Sequence, residues 1–439
     1  MGAWALATVA FVILAFAAFS RRLERLLVTP AMFFTAAGLV AGPGLGLIDL
    51  NVKGEPMKLL AEATLTLVLF ADASRISLRA LRQEYAVPLR LLGIGLPLTI
   101  VAGCLAGVAV FPQLSWPEAL VLAVTLACTD AALGQAVVTD ERLPSRIRQG
   151  LNVESGLNDG ICVPLFFIAI GLAEADADTT SWHSAVHLVL EQIGYGTLGG
   201  LIAGVGAALV ERQTVTRGWT ESSWLQVFTF AAAVFAAGLA LGLGGSMFIA
   251  AFVGGLLFGA LRHETGGEVA HLLEQGGEVL NATTFVVFGA VVLGPALHHL
   301  DWRVVVYAVL SLTVVRMLPV ALAMIGTRAG APTVAFLGWS GPRGLASIVF
   351  GVLVADEAHL PYQQDILLAI AVTVSLSILA HGLTAQPLTD RYVRWYEAGE
   401  PEMERRPAPE HRLRAPLRPR APRTPTRPSP PPAPASPPS

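Results

Sequence analysis

Residues 122–135 read LAVTLACTDAALGQ, and they place one acidic residue, Asp130, inside an otherwise apolar run. A charged side chain at the centre of a bilayer costs about 2.5–3.5 kcal/mol on insertion scales. Thr129 and Asp130 stand beside small residues, which suits a membrane helix that opens locally and exposes carbonyl groups to a cation. The stretch predicts either such an ion-binding break or an Asp that packs against another helix through hydrogen bonds.

The whole chain has the composition of a membrane protein. It has 439 residues, of which 54% are hydrophobic and 14% charged, with a mean hydropathy of +0.61. A soluble domain carries about 25% charged residues. Apolar runs of about 20 residues are long enough to cross a hydrocarbon core as helices. We predict an all-α fold of about thirteen spans, at approximately 3–20, 28–48, 57–77, 87–111, 117–139, 148–173, 184–210, 223–242, 245–261, 277–297, 303–326, 332–354 and 364–387.

Arginines fall mainly in every second loop of this arrangement, and the loops between them contain few basic residues. By the positive-inside rule the Arg-rich loops are cytoplasmic, so the amino terminus lies outside and the carboxyl terminus inside. We predict a cell inner-membrane, multi-pass protein with a transmembrane domain over 1–395. Residues 396–439 are rich in Pro and Arg and predict a disordered cytoplasmic tail.

A second acidic motif lies in the sixth predicted span, where residues 152–160 read NVESGLNDG. Ser155 and Asp159 are four residues apart and share one helix face. Glu154 and Asn158 share a neighbouring face. Because hard cations prefer carboxylate, hydroxyl and carbonyl oxygens, the first face predicts cation ligands. The alternative is that Asp159 is a buried structural carboxylate.

The twelfth predicted span contains GWSGPRGLAS at residues 338–347. Its glycines and proline predict a broken or kinked helix. Spans five and twelve are then two interrupted helices that cross, one in each half of the chain. This pairing is typical of inverted-repeat transporters with a site near the midplane.

Two interior arginines, Arg316 and Arg343, require anionic partners. We expect Arg316 to pair with Glu154 in a structural contact between spans eleven and six, because removing one partner of a buried pair is costly. For Arg343 two possibilities stay open, contact with the carbonyls of a broken helix or with Glu154. Asp72 lies nearer the end of the third span.

Several classes of function lack support in the sequence. There is no phosphate-binding loop, no zinc-binding spacing and no nucleophile–base pair, so we predict neither an enzyme nor a resident cofactor. Nucleic-acid binding does not fit a chain of this type. His381 is open to two interpretations, a pH sensor or a histidine that packs between helices.

The motifs resemble those of the monovalent cation:proton antiporter family, in its NhaP-type sodium/proton branch. The matching pieces are Thr129–Asp130, the stretch from Glu154 to Asp159, residues 245–259 (GSMFIAAFVGGLLFG) and the Gly-Pro-Arg-Gly stretch of 341–344. Two positions depart from the family pattern. Ala131 stands where many relatives have Pro, and Asp72 stands near a position where many have Glu.

The resemblance implies a core domain, a dimerisation domain and a homodimer with elevator-like alternating access. It implies that Asp159 and Asp130 bind the ion, with Thr129 and Ser155 as further ligands. It also implies that Asn158 next to Asp159 goes with electroneutral exchange.

From these residues we predict a secondary transporter that exchanges sodium for protons across the lipid bilayer by competition at a midplane Asp. Lithium or potassium could replace sodium, and a potassium/proton antiporter is the nearest alternative. A sodium-coupled organic anion symporter is a more distant one, and would require an anion-binding cavity. A membrane sensor or scaffold would not need two midplane Asp residues.

Overall fold

A computed structural model describes residues 3–48, 52, 54–76, 81, 84–177, 182–262, 271–399 and 401–406. Within these residues the chain forms helices and no strand. Eight of the described helices are long and apolar enough to cross a membrane, judged by length and composition. The all-α membrane fold is therefore confirmed, and the count of thirteen spans and the inverted repeats stay predictions.

We number the helices in chain order and use a and b for the two halves of an interrupted helix. The first part of the chain forms α1 (Ala3–Arg25), α2 (Pro30–Leu39, continued by a π turn at Val40–Gly44), α3 (Glu55–Arg75), α4 (Ala86–Val110), α5a (Trp116–Thr125), α5b (Gln135–Val138) and α6 (Ser145–Asp176).

The second part of the chain contains the other interrupted helix, α12. It forms α7 (Trp182–Thr216), α8 (Ser222–Leu243), α9 (Met247–Leu261), α10 (His271–Val287, continued by Phe288–Leu293 and Gly294–Leu297), α11 (Trp302–Leu312 and Val314–Ala323), α12a (Ala331–Trp339), α12b (Leu345–Glu357) and α13 (Gln363–Ala398).

Side chains at the helix starts fix where α5a and α13 begin. Ser115 and Glu118 form a capping box at the start of α5a, in which each side chain accepts from the other residue's backbone N–H. Glu118 also accepts from the N–H of Tyr362, at 3.0 Å, just before α13. One carboxylate therefore ties the first interrupted helix to the last helix of the fold.

Small residues allow α9 to lie against two other helices at close range. A Cβ added at Gly204 of α7 would overlap the backbone of Gly254 of α9, and one added at Gly255 would overlap the backbone of Phe70 of α3. Close backbone approach of this kind is how membrane helices associate when lipid offers no hydrophobic gain. The glycine-rich 245–259 motif therefore fixes the packing of α9.

Part of the predicted tail packs against the helices. Met403 and Glu404 are buried, and the N–H of Gly330 donates to Glu404 at 2.9 Å, just before α12a. Residues 407–439 lie outside the described residues, and their disorder stays a prediction.

Candidate ion-binding site

The two interrupted helices meet at their breaks. α5a ends at Thr125, α12a ends at Trp339, and the N–H of Asp130 donates to the carbonyl of Pro342 at 2.8 Å. Pro342 has no N–H of its own, and the glycines around it permit a non-helical path. The interruptions predicted in spans five and twelve are both present, and they contact each other.

The Asp130 side chain caps the start of α12b, the second half of the interrupted helix α12. Its Oδ2 accepts from the N–H of Leu345 at 2.8 Å, and its Oδ1 accepts from the N–H groups of Ala132 and Leu133 at 2.7 and 3.2 Å. A carboxylate at a helix N-terminus also interacts favourably with the helix dipole. Hydrogen bonding of Asp130 to another helix is one of the two alternatives that the sequence left open, and it is observed. The role of Asp130 as an ion ligand stays a prediction.

Thr129, Ser155 and Asn158 form a buried polar cluster beside the break in α5. The Thr129 and Ser155 hydroxyl oxygens are 3.3 Å apart. The Asn158 amide donates to Thr129 Oγ1 at 3.3 Å and to the carbonyl of Ala127 at 3.2 Å. Its Oδ1 accepts from the thiol of Cys162 at 3.2 Å. Asn158 therefore holds the unwound chain against α6.

Asp159 lies one turn after Ser155 on the same face of α6, as the spacing predicts. Asp159 is 8% exposed. It lies close enough to Cys128, the residue before Thr129, for the two side chains to interact electrostatically. The structure therefore brings Asp159 and Ser155 to the region of α5 that contains Thr129 and Asp130.

Arg343 supplies positive charge to the break. Its Nη1 donates to the carbonyls of Ala127 and Cys128 at 2.9 and 3.1 Å. Those carbonyls follow the end of α5a, where helical partners are lacking. Of the two possibilities that the sequence left open, contact with broken-helix carbonyls is the one observed.

Arg316 and Glu154 form the ion pair that the sequence predicted. Arg316 Nη2 lies 2.6 Å from Glu154 Oε1, and each side chain is 2% exposed. The pair joins α11 to α6, and Gly341 of the second break packs directly against the Arg316 guanidinium. The pair therefore packs against the break in α12 and joins α11 to α6.

Asp72 belongs to a different ion-pair network. Its carboxylate lies 3.2 Å from the guanidinium of Arg75, three residues later in α3. Arg75 also pairs with Glu274 of α10. Asp72 thus takes part in an ion-pair network that includes α3 and α10, and its support of the ion site stays a prediction.

A third charged cluster lies in the loop between α5b and α6. The Arg142 guanidinium contacts Asp140 at 2.7 Å and Asp390 of α13 at 2.8 Å. Hydrogen bonding from Arg142 holds the pKa of the Asp140 carboxyl below its ordinary value. This loop is thereby tied to the last helix.

Residues 8–391 match the model of the transmembrane sodium/hydrogen exchanger family. The chain belongs to the sodium/hydrogen exchanger family. The Na(+)/H(+) antiporter NhaP of Pseudomonas aeruginosa is 30% identical to it over 360 residues, which cover 76% of this chain and 80% of that protein.

A probable Na(+)/H(+) antiporter of Schizosaccharomyces pombe is 27% identical to this chain over 316 residues, which cover 68% of this chain. The match spans 41% of that longer relative. The sodium proton antiporter MjNhaP1 of Methanocaldococcus jannaschii has the same fold, with a TM-score of 0.73 and 19% identity, over 89% of this chain and 98% of the other. All three relatives are named as antiporters, that is, as transporters rather than enzymes.

The structure adds site-supporting residues of this exchanger that the sequence did not single out for that role. Ser347 donates to the carbonyl of Thr125 at 2.7 Å, and Ser377 accepts from the N–H of Arg343 at 2.7 Å. The only available signal was their position, since Ser347 follows the Gly-Pro-Arg-Gly stretch and Ser377 is one turn before His381. Serines in apolar helices are common, so this signal is weak.

Proposed function

We propose that this exchanger moves sodium ions against protons at a site formed by Asp159, Ser155, Thr129 and Asp130. The observation that carries the proposal is the contact between the Thr129 and Ser155 hydroxyls at the break of α5, one helical turn from buried Asp159. Carboxylate, hydroxyl and carbonyl oxygens are the ligands that hard cations prefer.

Competition for Asp159 couples the two fluxes. An ionised carboxylate inside a membrane domain is costly, so we propose that binding of a proton or a cation at Asp159 stabilises the site. The two occupants neutralise the same oxygens and exclude each other. In this proposal the site switches from one side of the membrane to the other only when its charge is neutralised. A transporter with an empty site therefore does not switch back, and the two fluxes stay coupled without ATP.

Asp130 contributes negative charge at the same place, but three backbone N–H groups already bind its oxygens. These contacts already use both Asp130 oxygens, so its carboxylate is committed to the crossing. We therefore assign the exchangeable proton to Asp159 and assign to Asp130 the ordering of the crossing around the ion.

One exchangeable carboxylate predicts one-for-one, electroneutral exchange. The residue before Asp159 is the neutral Asn158, whose amide is engaged by Ala127, Thr129 and Cys162. It adds no second titratable charge to the site. The resemblance to electroneutral relatives with the Asn-Asp pair points the same way.

The membrane setting is part of the proposal. We place the protein in the cell inner membrane with its amino terminus outside and its carboxyl terminus in the cytoplasm. We propose that it acts as a homodimer, in which the domain with the crossing moves relative to the dimerisation domain. Arg-rich alternate loops and the family resemblance support this arrangement.

A proton-flux assay in proteoliposomes tests the function. The purified full chain is reconstituted with an internal pH dye, and gradients of Na⁺, Li⁺ and K⁺ are applied in turn. We expect Na⁺ to drive proton movement at a rate that an imposed membrane potential leaves unchanged. A response to K⁺ alone would overturn the assignment of sodium, and no response to any of the three ions would overturn cation/proton exchange.

A further inference from the structure

The break in α12 is held from α13 by two side chains that the proposed ion site does not include, Ser377 and His381. Both are buried, and they lie one turn apart on the same helix face. Their partners are backbone groups at the two edges of the break, the carbonyl of Trp339 and the N–H of Arg343.

The Trp339 carbonyl is at the end of α12a, where a carbonyl has no partner further along the helix. It accepts from the N–H of Gly341 at 2.8 Å, and His381 Nε2 lies 2.9 Å from it. Because a carbonyl only accepts, His381 bonds to Trp339 in a form that carries a proton on Nε2. The two lone pairs of this oxygen are then both used.

The other edge of the break is fixed by Ser377. The N–H of Arg343 donates to Ser377 Oγ at 2.7 Å, and Oγ lies 3.2 Å from His381 Nδ1. Nδ1 also lies 3.0 Å from the backbone carbonyl of Ser377, so both the hydroxyl and the carbonyl of Ser377 face this nitrogen. His381 thus contacts both edges of the break, directly at Trp339 and through Ser377 at Arg343.

This chain continues into the region of the ion site. Arg343, fixed through its backbone by Ser377, extends its guanidinium to the carbonyls of Ala127 and Cys128. Those two residues immediately precede Thr129. The backbone position of Thr129 is therefore set in part by contacts that begin at His381.

We propose that His381, acting with Ser377, is a positioning residue that holds the broken segment of α12 so that Arg343 can order the ion-binding end of α5. The proposal rests on the proposed function, because it assigns the consequence of this contact to ion affinity. It concerns residues that touch neither the ion nor its ligands.

Simple packing is the competing explanation, since the His381 ring stacks on the Trp339 ring with centroids 4.9 Å apart. Three variants separate the two. His381→Phe keeps an aromatic ring for stacking and loses both hydrogen bonds. His381→Gln keeps a donor for the Trp339 carbonyl, and Ser377→Ala removes the acceptor for Arg343.

Thr384→Val is the matched control. Thr384 lies on α13 and accepts from the indole Nε1 of Trp339 at 2.9 Å. Its loss removes a hydrogen bond between the same tryptophan and the same helix but leaves the backbone of the break untouched.

Sodium-dependent proton flux in proteoliposomes gives the first test. We expect the sodium KM to rise about three- to tenfold in His381→Phe and Ser377→Ala, the effect of losing one net hydrogen bond, with kcat nearly unchanged. His381→Gln should recover most of the affinity, and Thr384→Val should match the native protein. Equal KM values in His381→Phe and Thr384→Val would overturn the proposal.

Amide hydrogen exchange of residues 335–345 in detergent gives a second test that does not depend on transport. The N–H groups of Gly341 and Arg343 should exchange faster in His381→Phe than in Thr384→Val. Equal exchange in the two variants would overturn the positioning role even if sodium transport is demonstrated. If the native protein transports no sodium but the difference in exchange is found, the proposed function fails and the positioning of the break stands.

Discussion

The N–H of Leu345 donates to Asp130 Oδ2 over 2.8 Å, between residues that are 215 positions apart in the chain. This bond joins the break in α5 to the first residue of α12b. With the contacts of Arg343 and Ser347 to the end of α5a, it holds together the two interrupted helices around which the proposed ion site is built.

The first prediction concerns Asp130→Asn. Asn keeps one acceptor oxygen and replaces the other with an NH₂ group that cannot accept, so at least one of the three bound N–H groups loses its partner. Such a loss costs about 1–3 kcal/mol. We expect a lower melting temperature in detergent together with impaired exchange. An unchanged melting temperature would contradict the capping role.

Gly344→Ala should disturb the same contact from the other side. A Cβ at Gly344 would overlap the Asp130 carboxylate, which would have to move away from Leu345. We expect reduced thermal stability and reduced sodium-dependent proton flux. Gly206→Ala in α7 is the control, because nothing lies within 4 Å of a Cβ added there. Similar behaviour of the two variants would show that the close approach has no consequence.

Glu154→Ala tests the structural assignment of the Arg316 pair. It leaves the Arg316 guanidinium buried without its carboxylate, at a cost of about 3–5 kcal/mol. Detergent melting should show a large loss of stability. Glu402→Ala, which removes an exposed pair with Arg328, should change the melting temperature little. If Glu154→Ala is as stable as Glu402→Ala, the structural role of Glu154 is wrong.

The loop after α5b predicts a pH-dependent contribution to stability. Because Arg142 lowers the pKa of Asp140 in the folded protein, this contribution is complete above the ordinary carboxyl pKa. It is lost as the pH falls through the lowered value. Asp140→Asn should therefore melt below the native protein at neutral pH, and the difference should shrink in acid. A difference that is constant with pH would contradict the assignment.

The sequence predicted those parts of the site that depend on local spacing. Ser155 and Asp159 share a helix face because they are four residues apart. The breaks in spans five and twelve follow from small residues near Thr129–Asp130 and from Gly and Pro at 341–344. The Arg316–Glu154 pair could be predicted because few interior charges were available to neutralise each other.

The contacts between distant parts of the chain could not be read in the same way. That Asp130 caps α12b depends on the angle and register at which two helices cross, and neither is encoded in spacing along the chain. The same holds for the contact of His381 with Trp339, which lies 42 residues away. A histidine in an apolar helix gave no indication that it contacts a broken backbone.

Replacement of Asp159 by Asn gives the most direct test of the central claim, that one buried carboxylate binds the cation and the proton in turn. Sodium-driven proton flux is measured in proteoliposomes that contain native protein, Asp159→Asn, or Asp176→Asn as an exposed control on the same helix. We expect Asp159→Asn to fold and to show no exchange, with Asp176→Asn near native. Robust sodium-driven proton flux in folded Asp159→Asn would contradict the account.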